Sequence, residues 1–219
     1  MNFVSEFSTN DLLYMLKGLG VSISITLWAV AFGTVLGVIL GFVRSAVGAV
    51  ANFLMGSILD VFRSVPLLIQ LILFNALSSI LKLGFSPFLV SCLVLSIYTA
   101  AFVSETVRSG LLSVPPAIIR SARSLGLTYL QTLKAIVFPL ALRVSFPTWV
   151  GVALGVFKDT SLVLWIGIIE LLKASQIIIT RTQEPIIILS VAGLLYFIVS
   201  FGFTRLANRV EKKWEQYEL

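Results

Sequence analysis

The chain has 219 residues, 58% of them hydrophobic and 12% charged, with a mean hydropathy of +1.03 and a formal net charge of +6. Soluble domains carry roughly 45–50% apolar and about 25% charged residues, so the polar surface here is too small to cover a globule, and the bilayer is the solvent. With no His and a single Cys, Cys92, one chain assembles no zinc, haem or iron–sulfur ligand set, no disulfide framework and no Ser-His-Asp or Cys-His catalysis.

The first charge-free run covers residues 18–43, long enough for the roughly 20 residues that cross a hydrocarbon core. Glu6 and Asp11 precede it against Lys17 alone; that pattern and its length mark an anchor rather than a cleavable signal. Gly33, Gly37 and Gly41 form a small-residue stripe on this span, suited to close helix packing within a subunit or across a dimer. Residues 45–62 mix polar groups with Phe53, Leu54, Ile58 and Leu59 at helical spacing, the pattern of an interfacial helix. Charge-free runs at 64–81 and 83–104 give two more spans, with Pro66 kinking the entry of the first. Cys92 reads as a small apolar filler.

Glu105 closes the third span one turn before Arg108, which fits either an i,i+3 ion pair at the interface or a group facing the substrate path. The polar segment 108–143 follows, with Arg108, Arg120, Arg123, Lys134 and Arg143 and no acid. It reads as two short helices: Pro115-Pro116 opens the first and Gly126 closes it, Thr128 caps the second with Gln131 as capping-box partner, and Pro139 stops it. Ile118, Ile119, Ala122 and Leu125, then Leu130, Leu133, Ile136 and Val137, give each helix one apolar side. A DNA-binding helix-turn-helix is excluded by tethers to membrane spans at both ends; a loop lying on anionic headgroups is the plain alternative.

A fourth span runs over residues 144–169, with a polar break at Lys158, Asp159, Thr160 and Ser161, and a fifth over 185–204. Lys158 and Asp159 point to different surroundings as i,i+1 neighbours, either bridging to other helices or, with Thr160 and Ser161, lining a path for substrate. The tail from Arg205 to Leu219 is a charged, amphipathic helix, with Trp214 as an interfacial anchor. The whole chain is thus one all-α integral membrane domain with five transmembrane helices at about 18–43, 60–81, 83–105, 144–169 and 185–204. Placing the C-terminus inside puts eleven Lys and Arg on the cytoplasmic side against four outside, so the positive-inside rule sets the N-terminus outside and the C-terminus in the cytoplasm.

The polar loop resembles the EAA signature of ABC-importer permeases. Arg120, Ser121, Ala122, Gly126, Ile136, Phe138 and Pro139 fall at its positions without a gap, with Arg120 where the leading Glu stands, Ser121 for the first Ala and Phe138 for the Leu. The runs Arg63-Ser64-Val65-Pro66-Leu67-Leu68, Ser104-Glu105-Thr106-Val107-Arg108 and Lys158-Asp159-Thr160-Ser161-Leu162, and Ile166-Gly167 with Glu170-Leu171, are similar to the polar amino-acid subfamily of histidine, glutamine, glutamate and arginine permeases.

This resemblance implies a type I ABC importer permease fold acting by alternating access. It implies an ATPase-docking set of Arg120, Ser121, Ala122, Gly126, Leu127, Ile136 and Pro139, and a substrate path with Glu105, Lys158, Asp159, Thr160 and Ser161. The implied partners are an ABC ATP-binding subunit that carries ATP and Mg, an extracytoplasmic amino-acid-binding protein, and a second permease copy or paralogue in the bacterial inner membrane. Nucleic acid is no partner, and no cofactor sits on this chain, which lacks a Gly-Lys phosphate loop and is not an enzyme. A small oligomeric secondary transporter or channel subunit is the competing reading, disfavoured by the two-helix loop and the lack of inverted repeats.

Overall fold

Residues Thr9–Ala46 form one helix, α1, whose first turn is held by the Asp11 carboxylate accepting from the Ser8 N–H at 2.8 Å. Its 38 residues extend about 57 Å at 1.5 Å per residue, roughly twice the hydrocarbon thickness, so Asp11 and Arg44 stand beyond the apolar stretch at opposite ends. This computed structural model describes residues 7–215, and among them the regular structure is wholly helical. Glu6 and the last four residues of the tail, 216–219, lie outside the described residues.

After α1 come α2 (Ala49–Ser64), α3 (Leu67–Ile80) and α4 (Pro87–Leu112). A short α5 (Pro116–Ser124) and a single turn, α6 (Tyr129–Thr132), precede α7 (Phe138–Asp159). A 3₁₀ segment, Thr160–Ile166, leads to α8 (Leu171–Thr182) and to α9 (Pro185–Glu215). Among the described residues, four helices are long and apolar enough to cross a membrane, and the α2–α3 pair, bent by 97°, makes a fifth if it counts as one span.

α4 lies at the centre, with α1 on one side and α7 on the other. The glycine stripe sets the first contact: a Cβ on Gly33 would lie 2.5 Å from Thr99 Cβ, one on Gly37 2.6 Å from Val103 Cβ, and one on Gly41 2.8 Å from Val107 Cβ. The stripe therefore packs inside the subunit, and the rising register on both helices makes α1 and α4 parallel. On the other side, Gly110 of α4 meets Ser145 and Ala141 of α7, so those two run antiparallel. Ile25, Ala29, Leu71, Val94, Leu95, Val156 and Val163 fill the space among α1, α3, α4 and α7. Met15, Leu19, Phe157, Leu171, Ile178 and Ile188 tie in α8 and α9. The bundle has one end carrying Asp11 and α8, the α8 end, and another carrying Arg44, Arg108 and the loop between α4 and α7, the loop end.

The bend between α2 and α3 falls at Val65 and Pro66. Proline has no N–H, so the Phe62 carbonyl loses its helical partner. Gln70, 5% exposed, replaces it: Nε2 donates to the Phe62 and Val65 carbonyls, each at 2.8 Å. Gln70→Leu strips both acceptors at a cost of about 1–3 kcal/mol each, and a purified variant is expected to melt at least about 4 °C below wild type in detergent. An unchanged melting temperature would remove Gln70 as the brace of the bend.

Pro139 does not stop the second loop helix. The Leu133–Val137 segment takes π geometry, with the Phe138 N–H bonded to the Leu133 carbonyl five residues back. That shift lets Pro139 enter as the second residue of α7 without breaking the chain of turns. Helix consequently runs from Tyr129 to Ile166 as one candidate span, and α4 continues through Leu112, so the connection between spans shrinks to residues 113–128.

Candidate functional site

The loop end is built by local rules. Pro115 caps α5 and Pro116 is its first residue. At its other end Gly126, at φ +88°, lets the Gly126 and Leu127 N–H groups reach the Arg123 and Ala122 carbonyls at 3.1 and 3.3 Å. Arg123 Nη1 also donates to the Leu127 carbonyl at 3.0 Å. The Thr128 N–H then donates to Gln131 Oε1 at 2.8 Å while the Gln131 N–H donates to Thr128 Oγ1 at 3.3 Å, the reciprocal capping box read from the sequence.

Each loop helix does not bury one whole apolar side. Ala122 is buried, and Ile119 and Leu133 pack against a buried cluster of Val114, Val137 and Ala141, but Ile118, Leu130 and Leu125 face outward, Leu125 being 81% exposed. Arg120, Ser121 and Gly126 are exposed with them, Leu127 and Ile136 are half-buried, and Pro139 is exposed where the loop rejoins α7. Ala117, Arg120, Ser121, Ser124 and Leu125 line a shallow depression. The result is a small rigid knob, cationic and apolar together, with its outer face uncovered.

The stems of that knob are clamped. A Cβ on Gly110 would fall 1.9 Å from Ser145 Oγ and 2.9 Å from the Ala141 carbonyl, and Ser145 Oγ donates to the Thr106 carbonyl at 3.2 Å. One turn away, Glu105 pairs with Arg108 at 3.1 Å, as its i,i+3 spacing suggests, and also with Arg44 at 3.0 Å. Arg44 is 7% exposed; it donates to Ser104 Oγ at 3.3 Å and Asn52 Oδ1 at 3.3 Å, tying α1, α2 and α4 together.

Farther from the loop, Lys158 is exposed and Asp159 half-buried, and among the described residues neither side chain joins a hydrogen bond or salt bridge. Thr160 is fully buried, and its hydroxyl donates to the Phe157 carbonyl at 2.7 Å where the chain changes from α to 3₁₀ geometry. Ser161 is half-buried beside it. Gly151 and Gly155, one and two turns before Lys158, have nothing within 4 Å of a built Cβ.

Glu170 is the buried group whose weight the sequence does not reveal. It is 0% exposed and caps α8, accepting from the Leu172 and Lys173 N–H groups at 2.8 Å each, from Tyr196 at 3.2 Å and from Ser22 at 3.4 Å. Close by, the Gly18 Cα passes the Glu170 carbonyl so tightly that a Cβ would lie 2.8 Å from it, and Asp11 pairs with Arg181. α8 is thus fastened to α1 and α9. Glu170→Ala leaves four donors without their acceptor and is expected to lower the melting temperature by at least about 4 °C, with Glu170→Gln intermediate because one oxygen remains; equal melting of all three would refute the role.

Comparison with known proteins now has a geometry to meet. Residues 33–216 match the family described as binding-protein-dependent transport system inner membrane component. The probable glutamine ABC transporter permease protein GlnP of Bacillus subtilis is 33% identical, covering 96% of this chain and 98% of that one. The glutamate/aspartate import permease protein GltK of Escherichia coli O6:H1 is 30% identical over 93% and 94% of the two chains. Among solved structures, an amino acid ABC transporter crystallised with histidines shares the fold at a TM-score of 0.83 and 23% identity, with 95% and 100% covered.

Proposed function

The chain belongs to the family of binding-protein-dependent transport system inner membrane components, and from that premise we propose that it is one permease half of an ATP-driven importer of polar amino acids. It is a multi-pass inner-membrane protein and a transport permease. The observation that carries the reading of its mechanism is the capped, exposed α5 knob on clamped stems. Because Gly110 and Ser145 interlock, a push on α5 displaces α4 and α7 as one body, and α1 follows through the glycine stripe. Such a bundle converts movement of a docked ATPase into alternating access.

In this reading the loop end is cytoplasmic, which places Arg44, Arg108, Arg120, Arg123, Arg205, Arg209, Lys212 and Lys213 inside, as the positive-inside rule asks. ATP and Mg belong to the partner ATPase. A second copy or a paralogue completes the pathway, in which the Lys158-Asp159-Thr160-Ser161 break of α7 takes part, and an extracytoplasmic amino-acid-binding protein meets the α8 end. The substrate class follows from the relatives' names, glutamine for one and glutamate or aspartate for the other.

The test is purification of the tagged chain from its native membrane in mild detergent, with mass spectrometry of what accompanies it, repeated with residues 118–127 scrambled. An ATPase carrying a phosphate-loop motif should accompany the native chain and be lost on scrambling. A folded chain that emerges alone in both cases returns the secondary-transporter reading.

A further inference from the structure

We propose that the outward face of α9 binds an anionic phospholipid in the leaflet at the loop end, its phosphate held by Arg205, Arg209 and Lys212; this goes beyond the importer reading and does not depend on it. α9 is the barest span. Only 11% of its apolar window is buried inside the chain, against 22, 28 and 61% for the other three candidate helices. Its inner side is fixed by Ile188 and Ala192 in the cluster with α8, by Phe203 against Trp149 of α7, and by the buried Ala207. On the opposite side Leu194, Ile198, Phe201, Arg205, Arg209 and Lys212 follow one another at steps of three or four residues, which makes one line along a helix. All six are exposed. The line turns from apolar to cationic at Arg205, about 30 Å along the helix from Pro185, which is one hydrocarbon thickness.

The charges decide what covers this face. Between Pro185 and Trp214 the sole acid is Glu211, set off the line by about a third of a turn. Among the described residues no carboxylate pairs with Arg205, Arg209 or Lys212. A long cationic side chain at a span's end ordinarily extends toward water, but Arg205 turns back over the Phe201 ring, its central carbon 4.7 Å from the centroid. The ring holds the guanidinium at the depth where acyl chains meet phosphates, and its planar fork fits a phosphate's oxygens. The turns that carry Arg209 and Lys212 are pinned as well, because Trp214, on the opposite side of α9, meets the Phe146 ring of α7 at 5.1 Å. A second copy docking here across a two-fold axis would set the three cations against their own kind. Two further acids at the loop end, Asp60 and Glu105, are already paired with Arg63, Arg44 and Arg108, so they offer a second copy little in exchange. A lipid supplies both halves of the match, chains along Leu194, Ile198 and Phe201 and a phosphate at the cations.

The experiment reconstitutes the full chain in vesicles of phosphatidylcholine and phosphatidylglycerol in equal parts, re-extracts it in mild detergent, and measures by mass spectrometry the lipid that stays with it. Each surface cation favours an anionic lipid about fivefold, so phosphatidylglycerol should exceed phosphatidylcholine at least tenfold on the wild type. R205Q/R209Q/K212Q should bring the ratio close to one. The three side chains are exposed and unpaired, so this variant should keep the wild-type size-exclusion profile. K17Q/K82Q/K173Q removes the same charge elsewhere and should keep the enrichment, which separates a site from an effect of net charge. A wild type that holds both lipids equally, an enrichment that survives R205Q/R209Q/K212Q, or one lost equally in K17Q/K82Q/K173Q each overturns the site. The same triple variant, purified from native membrane, tests the other occupants: loss of a second copy or of an accompanying ATPase, with the lipid ratio unchanged from wild type, would make this face a protein interface and sink the proposal. The importer reading is tested apart from it, because failed recovery of an ATPase leaves the lipid ratio untouched.

Discussion

Gly37→Leu is expected to abolish recovery of folded chain from the membrane, and Gly37→Ala to lower its melting temperature by several degrees. On Gly37 even a methyl carbon would lie 2.6 Å from Val103 Cβ and 2.9 Å from the Ala100 carbonyl. The second contact is with backbone, which no rotamer change relieves. Overpacking a close-packed interior costs about 1–3 kcal/mol for small additions, against roughly 5–15 kcal/mol of total stability. A leucine adds three more carbons at a place where α1 and α4 touch along their length, and Gly33 and Gly41 meet Ser96 and Ser104 carbonyls in the same way. Size-exclusion profiles of detergent extracts would show it: a monodisperse peak for Gly37→Leu at the wild-type level would mean that the two helices separate easily, and the rigid-body account of α1, α4 and α7 would go with it. Gly20, with nothing within 4 Å, is the matched control, and its alanine variant should behave as wild type.

Features written in a few neighbouring residues were legible before any coordinates. The capping box of Thr128 and Gln131, the glycine turn at Gly126 and the Glu105–Arg108 pair all close within three or four positions, so their partners stand in the same line of sequence. The glycine stripe announced close packing because its spacing repeats every turn, but nothing in α1 says that the facing surface is Thr99, Val103 and Val107. Arg44 and Glu170 are hidden for the same reason: the Arg44 contact with Ser104 spans 60 residues and the Glu170 contact with Ser22 spans 148. Only a superposition of helix registers brings them together. Pro139 misled because the rule that proline ends a helix assumes an unbroken i→i+4 ladder, and the π turn before it changes the register. The exposure of Leu125 and Leu130 was not readable for another cause: apolar periodicity reports that a face will be covered, not whether the cover comes from the same chain.

That uncovered face supports the second large effect. Arg120→Glu is expected to reduce recovery of the cognate ATPase with the permease by more than tenfold and to uncouple ATP hydrolysis from uptake, while the permease itself stays folded. Arg120 is exposed beside Ala117, Ser124 and Leu125 in the depression on α5, and among the described residues no acid of this chain pairs with it. Reversal therefore removes nothing from the fold. An interface that excludes water around Leu125 makes a central charge expensive to leave unmatched, and truncating or reversing such a charge costs about 2–5 kcal/mol, enough for the tenfold loss and more. The position carries Glu in the resembling permeases, so an Arg here calls for a carboxylate in the ATPase cleft. A Lys at that acid should restore binding to Arg120→Glu. Gly126→Val attacks the same contact through shape, because φ +88° is closed to a β-branched residue; it should misplace Leu125 and Leu127 and give the same loss without any change of charge. If Arg120→Glu left both ATPase recovery and coupled uptake at wild-type levels, the knob would dock through its apolar residues alone and the complementary carboxylate would be superfluous.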